Sequence, residues 1–223
     1  FKKMGVIKGD RIVAVLPNTP AALIAFLASA SLGAIWSICA PDMGHVAILD
    51  RFKQIEPKIL IAQDGYIYAD KTIDRREVLK TIINGLPSLQ KTIILPVVGS
   101  LPEDALSWDS LLTQEVDFTP VQVPFDHPLF IMYSSGTTGE PKCIVHSAGG
   151  TLIQLMKEHQ LHINIKPNDK VFFFTTCGWM MWNWLVTSMA SKATIVLYEG
   201  SPFHPQKDHL WKIADEEKIT HFG

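Results

Sequence analysis

The chain has 223 residues, of which 47% are hydrophobic and 19% charged. That balance excludes a disordered segment, which would carry less apolar and more charged sequence. Lys plus Arg number 20 against 22 for Asp plus Glu, a net charge of -2, so there is no electrostatic footprint for nucleic acid or an anionic membrane surface.

Arg11 to Leu16 is a short apolar run, expected as a strand buried on both faces. Pro17-Asn18-Thr19-Pro20 stops it, with Thr19 as N-cap and Pro20 as the first helical residue. Ala21, Leu23, Ile24, Leu27, Ala28 and Leu32 carry the helix, and Gly33 ends it. Ala34 to Cys39 is the next strand. Asp42 to Gln54 reads as a helix with Val46, Leu49 and Phe52 on one face, and Lys58 to Ala62 as a strand. Asp74 to Asn84 is a helix with Val78, Ile82 and Ile83 inward, ended by Gly85, and Lys91 to Leu95 is a strand. Residues 96–125 are Pro-rich, with one helical turn expected at 108–112.

Pro128 to Tyr133 is a strand, followed by a polar Gly-rich loop and a short strand from Cys143 to His146. Ser147 to Leu161 is a helix with Leu152, Leu155 and Met156 on one side. Val171 to Thr175 is a strand, Trp179 to Ala190 a helix and Ala193 to Tyr198 a strand. His204 to Glu217 is a helix, and Ile219 to Phe222 starts another strand. Repeated strand–helix–strand order predicts the α/β class, with parallel sheets joined by crossover helices. Two sub-lobes are expected, about 1–95 and 126–223, joined by the crossing 96–125.

The three cysteines, Cys39, Cys143 and Cys177, are far apart and form no CxxC, which points to buried thiols in a reducing compartment, the cytoplasm. Two uncharged runs, Ile12 to Pro41 and Val171 to Ser191, are long enough to be weighed as membrane spans. Both contain internal turn or polar signals and read as buried strand–turn–helix pairs, so no membrane span is expected. The eight histidines form no metal constellation, HExxH is absent, and His146 is expected to be structural.

The segment that carries chemistry is Tyr133-Ser134-Ser135-Gly136-Thr137-Thr138-Gly139-Glu140-Pro141-Lys142. Glycines let the backbone turn its N–H groups toward an anion, hydroxyls add donors, and Lys142 adds a point charge. Such a loop suits a polyphosphate. It is not a Walker A loop, because only two residues separate Gly136 from Gly139 and Cys143 follows Lys142. The dinucleotide fingerprint fails on the same glycine spacing.

This segment resembles the phosphate loop of the adenylate-forming (acyl-CoA synthetase, AMP-binding) enzymes, matching the family pattern except that Cys143 replaces a final Gly. The resemblance covers essentially the whole chain. It extends through Arg11 to Gly33 and through Ala193 to Pro202. Ala40-Pro41-Asp42 with Leu49-Asp50-Arg51-Phe52, Val145 to Leu152, and Gly178 to Trp184 resemble a branch that activates a short oxo-acid.

The resemblance implies an acid–CoA ligase that uses ATP, Mg²⁺ and coenzyme A through an acyl-adenylate. It implies that Ser134, Ser135, Gly136, Thr137, Thr138 and Gly139 wrap the ATP phosphates. Thr137 and Lys142 would be catalytic, and Thr137 and Thr138 would reach Mg²⁺. Arg51 would meet a phosphate of coenzyme A. Trp179 would wall the acid pocket, and Asn183 would donate to a keto oxygen. In the acetate enzymes, smaller and more polar residues follow the Gly-Trp pair. Here the run is Met180-Met181-Trp182-Asn183-Trp184, a departure that argues against acetate. An acetate or propionate ligase, a non-catalytic nucleotide-binding module and an anion-binding interaction protein are the alternatives. The start at Phe1 and the stop at Gly223 inside an expected strand suggest an N-terminal portion of a larger enzyme without its C-terminal domain. These 223 residues alone are expected to lack turnover.

Overall fold

The computed structural model describes residues 1–99, 102, 104–112, 118–134 and 139–223. In chain order the first elements are β1 (Arg11–Val15), α1 (Pro20–Ser31), β2 (Ile35–Cys39), α2 (His45–Phe52) and β3 (Ile59–Gln63). A hairpin of β4 (Gly65–Tyr68) and β5 (Lys71–Asp74) follows, then α3 (Arg76–Asn84), β6 (Lys91–Leu95), β7 (Leu106–Ser107) and α4 (Trp108–Leu112). Next come β8 (Pro128–Ser134), β9 (Lys142–Ser147), α5 (Ala148–Lys157) and β10 (Lys170–Phe172). The chain closes with α6 (Met180–Thr187), β11 (Thr194–Val196), α7 (His209–Glu216) and β12 (His221–Phe222).

Among the described residues, seven strands form one sheet in the order β7-β6-β3-β1-β2-β8-β9. A second sheet has the order β11-β10-β12. Its central strands β1, β2 and β3 are buried on both faces, and side-chain alternation divides the core in two. Ile12 and Ala14 of β1, Trp36 of β2 and Ile59 and Ile61 of β3 face α1 and α6. Val13, Val15, Leu60 and Ala62 face the other way, onto Ile48 and Phe52 of α2 and Leu79 and Ile82 of α3. Strands with both faces covered read as unbroken apolar runs, which is why they were legible. The two uncharged runs are β1–α1–β2 and β10–α6. Among the described residues no helix is long and apolar enough to cross a membrane.

The parallel expectation needs two corrections. β8 and β9 pair antiparallel, with Ser134 opposite Lys142. A parallel crossover needs about a dozen or more residues, and only residues 135–141 separate the two strands. The hairpin β4–β5 was not foreseen either. Its two-residue turn, Ala69-Asp70, has φ of 48° and 63° at both positions. A two-residue turn with both φ positive is a primed type, usually signalled by Asn-Gly or Asp-Gly. Here that signal is missing. Gly65 is required at the start of β4, since a Cβ there would lie 2.4 Å from Val98 Cγ2 and 2.8 Å from the Ile73 carbonyl oxygen. The first sheet also extends beyond the Pro-rich crossing, because β8 and β9 join it after residue 125.

Helix faces differ from expectation where the helix is apolar all round. α1 buries Ala22, Ala25, Phe26 and Ser29, while Ile24 and Leu27 remain 46% and 45% exposed. Its Phe26 ring meets Trp36, Phe130 and Trp182 at centroid distances of 6.1, 6.4 and 5.8 Å. The one large ring, not the periodicity, selects the face. Thr19 takes the N-cap position, but its side chain makes no capping bond. α2 begins at His45 and buries Ile48 and Phe52, with Val46 exposed. α3 buries Leu79 and Ile82, and α5 buries Thr151 and Leu155, with Leu152 exposed.

α5 runs into a π-helical turn, Glu158–His162, that drives His159 into the interior at 0% exposure. Its ring lies edge-on to Trp184 at 4.8 Å, and neither ring nitrogen has a hydrogen-bond partner. Burial lowers its pKa, against weaker opposing effects of the Trp184 main chain and Glu158. Burial also lowers that of His146, which stacks on Phe130 at 4.8 Å. A depressed folded pKa means the folded state prefers the neutral ring. That contribution is complete above the unfolded value, about 6.5, and is lost as pH falls from there through the folded value. The melting temperature is therefore expected to fall between pH 7 and pH 5. His159→Phe should flatten the profile in circular-dichroism melts, and an unchanged slope would remove His159 from the explanation.

Candidate functional site

β1, β2, β3 and β8 run parallel, so their carboxyl ends open on the same side. In open α/β sheets ligands bind outside those ends. The chain leads from β1 to β2 on one flank and then back past β1 to β3 on the other, which places the reversal of strand order there. A crevice of about 220 Å³ lies at this point, lined among others by Pro17, Asn18, Asp42, Tyr66, Thr175 and Glu199. The Glu199 carboxyl is lifted above the usual carboxylate range, first by desolvation in the crevice and then by Asp42. The Asn18 N–H opposes both effects.

The polar loop leaves the same edge from β8. Ser134 and Lys142 stand opposite each other at its two ends. Ser135, Gly136, Thr137 and Thr138 lie outside the described residues. Gly139 has φ of 101°, a conformation open to glycine and strained for a residue with a Cβ. Lys142 is exposed, and among the described residues no carboxylate pairs with it.

The loop is held from beneath by the end of α2 and the 3-10 turn that follows it, Lys53–Ile55. Gln54 Nε2 donates to the Pro141 carbonyl at 2.8 Å, and the Cys143 thiol donates to Gln54 Oε1 at 3.4 Å. Arg51 lies 5.7 Å from the centroid of the Tyr133 ring and donates to the Ala47 carbonyl at 2.7 Å. It is thus placed beside the root of the loop. The Tyr133 hydroxyl is hydrogen-bonded to Ser37 Oγ at 3.3 Å, and burial raises its pKa, so it stays a neutral phenol. The three thiols are free. Burial pushes Cys39 up to about 12 and Cys177 well up, so neither is a nucleophile at neutral pH. Cys143, expected to be buried, is partly exposed on β9.

α6 carries the remaining candidates. It is buried continuously from Trp182 to Val186. Asn183 is 4% exposed and lines a cavity of about 10 Å³ with Trp36, Met132 and Gly178. Its Nδ2 donates to Met132 Sδ at 3.4 Å, and its Oδ1 has no partner. Thioether sulfur is a weak acceptor, so this buried amide is poorly satisfied where it stands. Trp179, the N-cap of α6, is 69% exposed and walls no closed pocket within the described residues. The structure thus groups Ser134, Gly139, Lys142 and Arg51 at the loop and sets Asn183 apart on α6. The polar residues not foreseen are Gln54, Asn18 and Glu199. Asn18 was legible only as a strand stop, and Glu199 only as part of a strand and turn.

A family model described as AMP-binding enzyme matches residues 1–223, and the chain belongs to that family. Its relatives include the acetoacetyl-CoA synthetases of Gallus gallus and Danio rerio. They are 49% and 50% identical over 100% of this chain and 35% of their own length. The solved structure of acetoacetyl-CoA synthetase from Streptomyces lividans superposes with a TM-score of 0.97 at 45% identity, over 100% of this chain and 34% of that one. The chain spans about a third of the length of the relatives it matches.

Proposed function

We propose that the full-length protein carrying this chain is an AMP-forming acid–CoA ligase that converts acetoacetate, ATP and coenzyme A into acetoacetyl-CoA, AMP and pyrophosphate. The observation that carries this reading is the match over residues 1–223, with Ser134 and Lys142 opposed at the two ends of the phosphate loop. A carboxylate oxygen of the acid attacks the α-phosphorus of ATP, and the bond to pyrophosphate breaks. The thiol of coenzyme A then attacks the acyl carbon, its proton is lost, and AMP leaves. Both partners of the first step are anionic, so holding them in line and neutralising charge is what this chain has to supply.

Ser134 to Gly139 supply backbone and hydroxyl donors to the phosphates, and Lys142 supplies the cation. Thr137 and Thr138 are the hydroxyl ligands this loop offers Mg²⁺, a hard ion commonly held through substrate phosphates and few protein groups. When bound, the ion would offset phosphate charge. The donor chemistry fits, since a threonine hydroxyl is an oxygen ligand of the kind this hard ion takes. Arg51, beside the loop root, is assigned to a phosphate of coenzyme A. Asn183 is assigned to the keto oxygen of the acid and Trp179 to the wall of its pocket. The free thiols fit a cytoplasmic setting.

The test is acid-dependent ATP–pyrophosphate exchange by the full-length protein over acetoacetate, acetate and propionate. Acetoacetate is expected to exceed the other two by tenfold or more in kcat/KM. A preference for acetate or propionate would overturn the substrate assignment. Exchange with none of the acids would leave a nucleotide-binding module.

A further inference from the structure

α6 lies between the two sheets. Its Trp182 and Val186 pack into the core of the first sheet, and its Trp184 and Leu185 into that of the second. Apolar contacts are non-directional, so a helix between two apolar beds needs directional bonds to fix its rotation and register. Beside the weak Asn183–Met132 contact, one residue outside the helix supplies them.

Asn18, 3% exposed in the turn between β1 and α1, accepts the indole N–H of Trp182 at Oδ1, 2.9 Å away, and the Trp182 ring is 0% exposed. Its Nδ2 donates to the Thr175 carbonyl at 3.4 Å, at the start of the segment leading into α6. Its backbone N–H donates to Glu199 Oε2 at 2.6 Å, beyond β11. Three segments of the second half of the chain are therefore tied to one asparagine in the turn that follows the first strand. A side chain that both donates and accepts is needed here. Asp could not donate to the Thr175 carbonyl, and an apolar residue could do neither. Trp182 directly precedes Asn183, and Trp179 is one turn earlier, so whatever sets Trp182 sets both. The phosphate loop is braced separately, by Gln54 and by the Arg51–Tyr133 contact.

We propose that Asn18 is a positioning residue that fixes α6, and so sets affinity for the acid without setting affinity for ATP. This rests on the ligase reading above. The experiment measures KM for acetoacetate and for ATP in the full-length protein, alongside thermal melts, for wild type, Asn18→Leu, Trp182→Phe and the double variant. Asn18→Leu is expected to raise KM for acetoacetate tenfold or more and to change KM for ATP less than twofold. Trp182→Phe removes the same bond from the other side and should act in the same direction. The double variant should be less impaired than the product of the two single effects, as residues sharing one bond require. If Asn18→Leu does not fold, Trp182→Phe alone decides. An unchanged KM for acetoacetate in the folded variants, or an equal rise in both KM values, overturns the proposal. A wild type without acetoacetate-dependent exchange instead overturns the ligase reading.

Discussion

Replacing Lys142 with alanine is expected to reduce acid-dependent ATP–pyrophosphate exchange by about 10²–10³-fold, the loss typical when one preorganised charge-stabilising group is removed. The fold should be unaffected. Lys142 is exposed at the first position of β9, and its backbone pairs with Ser134 whatever side chain it carries. No carboxylate among the described residues would be left without a partner. Under the proposed ligase function the effect is therefore electrostatic and belongs to the reaction. A carboxylate approaching a triphosphate brings negative charge onto negative charge, and a cation at the loop offsets part of that repulsion. Lys142→Arg should recover only part of the rate, since a planar fork does not replace a compact ammonium group. Exchange within threefold of wild type in Lys142→Ala, with an unchanged melt, would remove Lys142 from the reaction.

Replacing Phe52 with alanine is expected to destabilise the fold by about 3–5 kcal/mol, the range for truncating a buried aromatic side chain. For a chain of this size that lowers the melting temperature by roughly 6–20 °C. Phe52 is 0% exposed and packs in the core formed with Val13, Ile48, Leu60 and Leu79. It anchors the end of α2, one residue after Arg51 and two before Gln54. Losing it opens a cavity and loosens the brace beneath the polar loop. A differential scanning calorimetry shift below 2 °C would show that the α2 core collapses onto the gap without cost.

Much of the candidate site was legible because it is contiguous. The loop from Tyr133 to Lys142 shows its glycines, hydroxyls and cation in ten consecutive residues. Its brace was not legible, because Gln54 and Pro141 are 87 residues apart. The fold was legible where a segment has one possible environment. β1 and β3 are apolar on every residue that matters and have to be covered on both faces. It was not legible where the pattern allows two answers, as in α1, whose alternative face carries Ile24 and Leu27. The β4–β5 hairpin escaped because its turn uses Ala69-Asp70 with positive φ, which short-range preference does not foretell.

Order along the chain was enough to establish an α/β protein and to single out a Gly- and hydroxyl-rich loop after a buried strand, because strand and helix periods and turn chemistry act over a few residues. Packing alone decided which face of α1 is buried, and that Asn18 meets Trp182 and Glu199 across separations of 164 and 181 residues. Such contacts depend on where whole elements come to rest. That depends on the summed shape of two cores, which no local stretch of sequence contains.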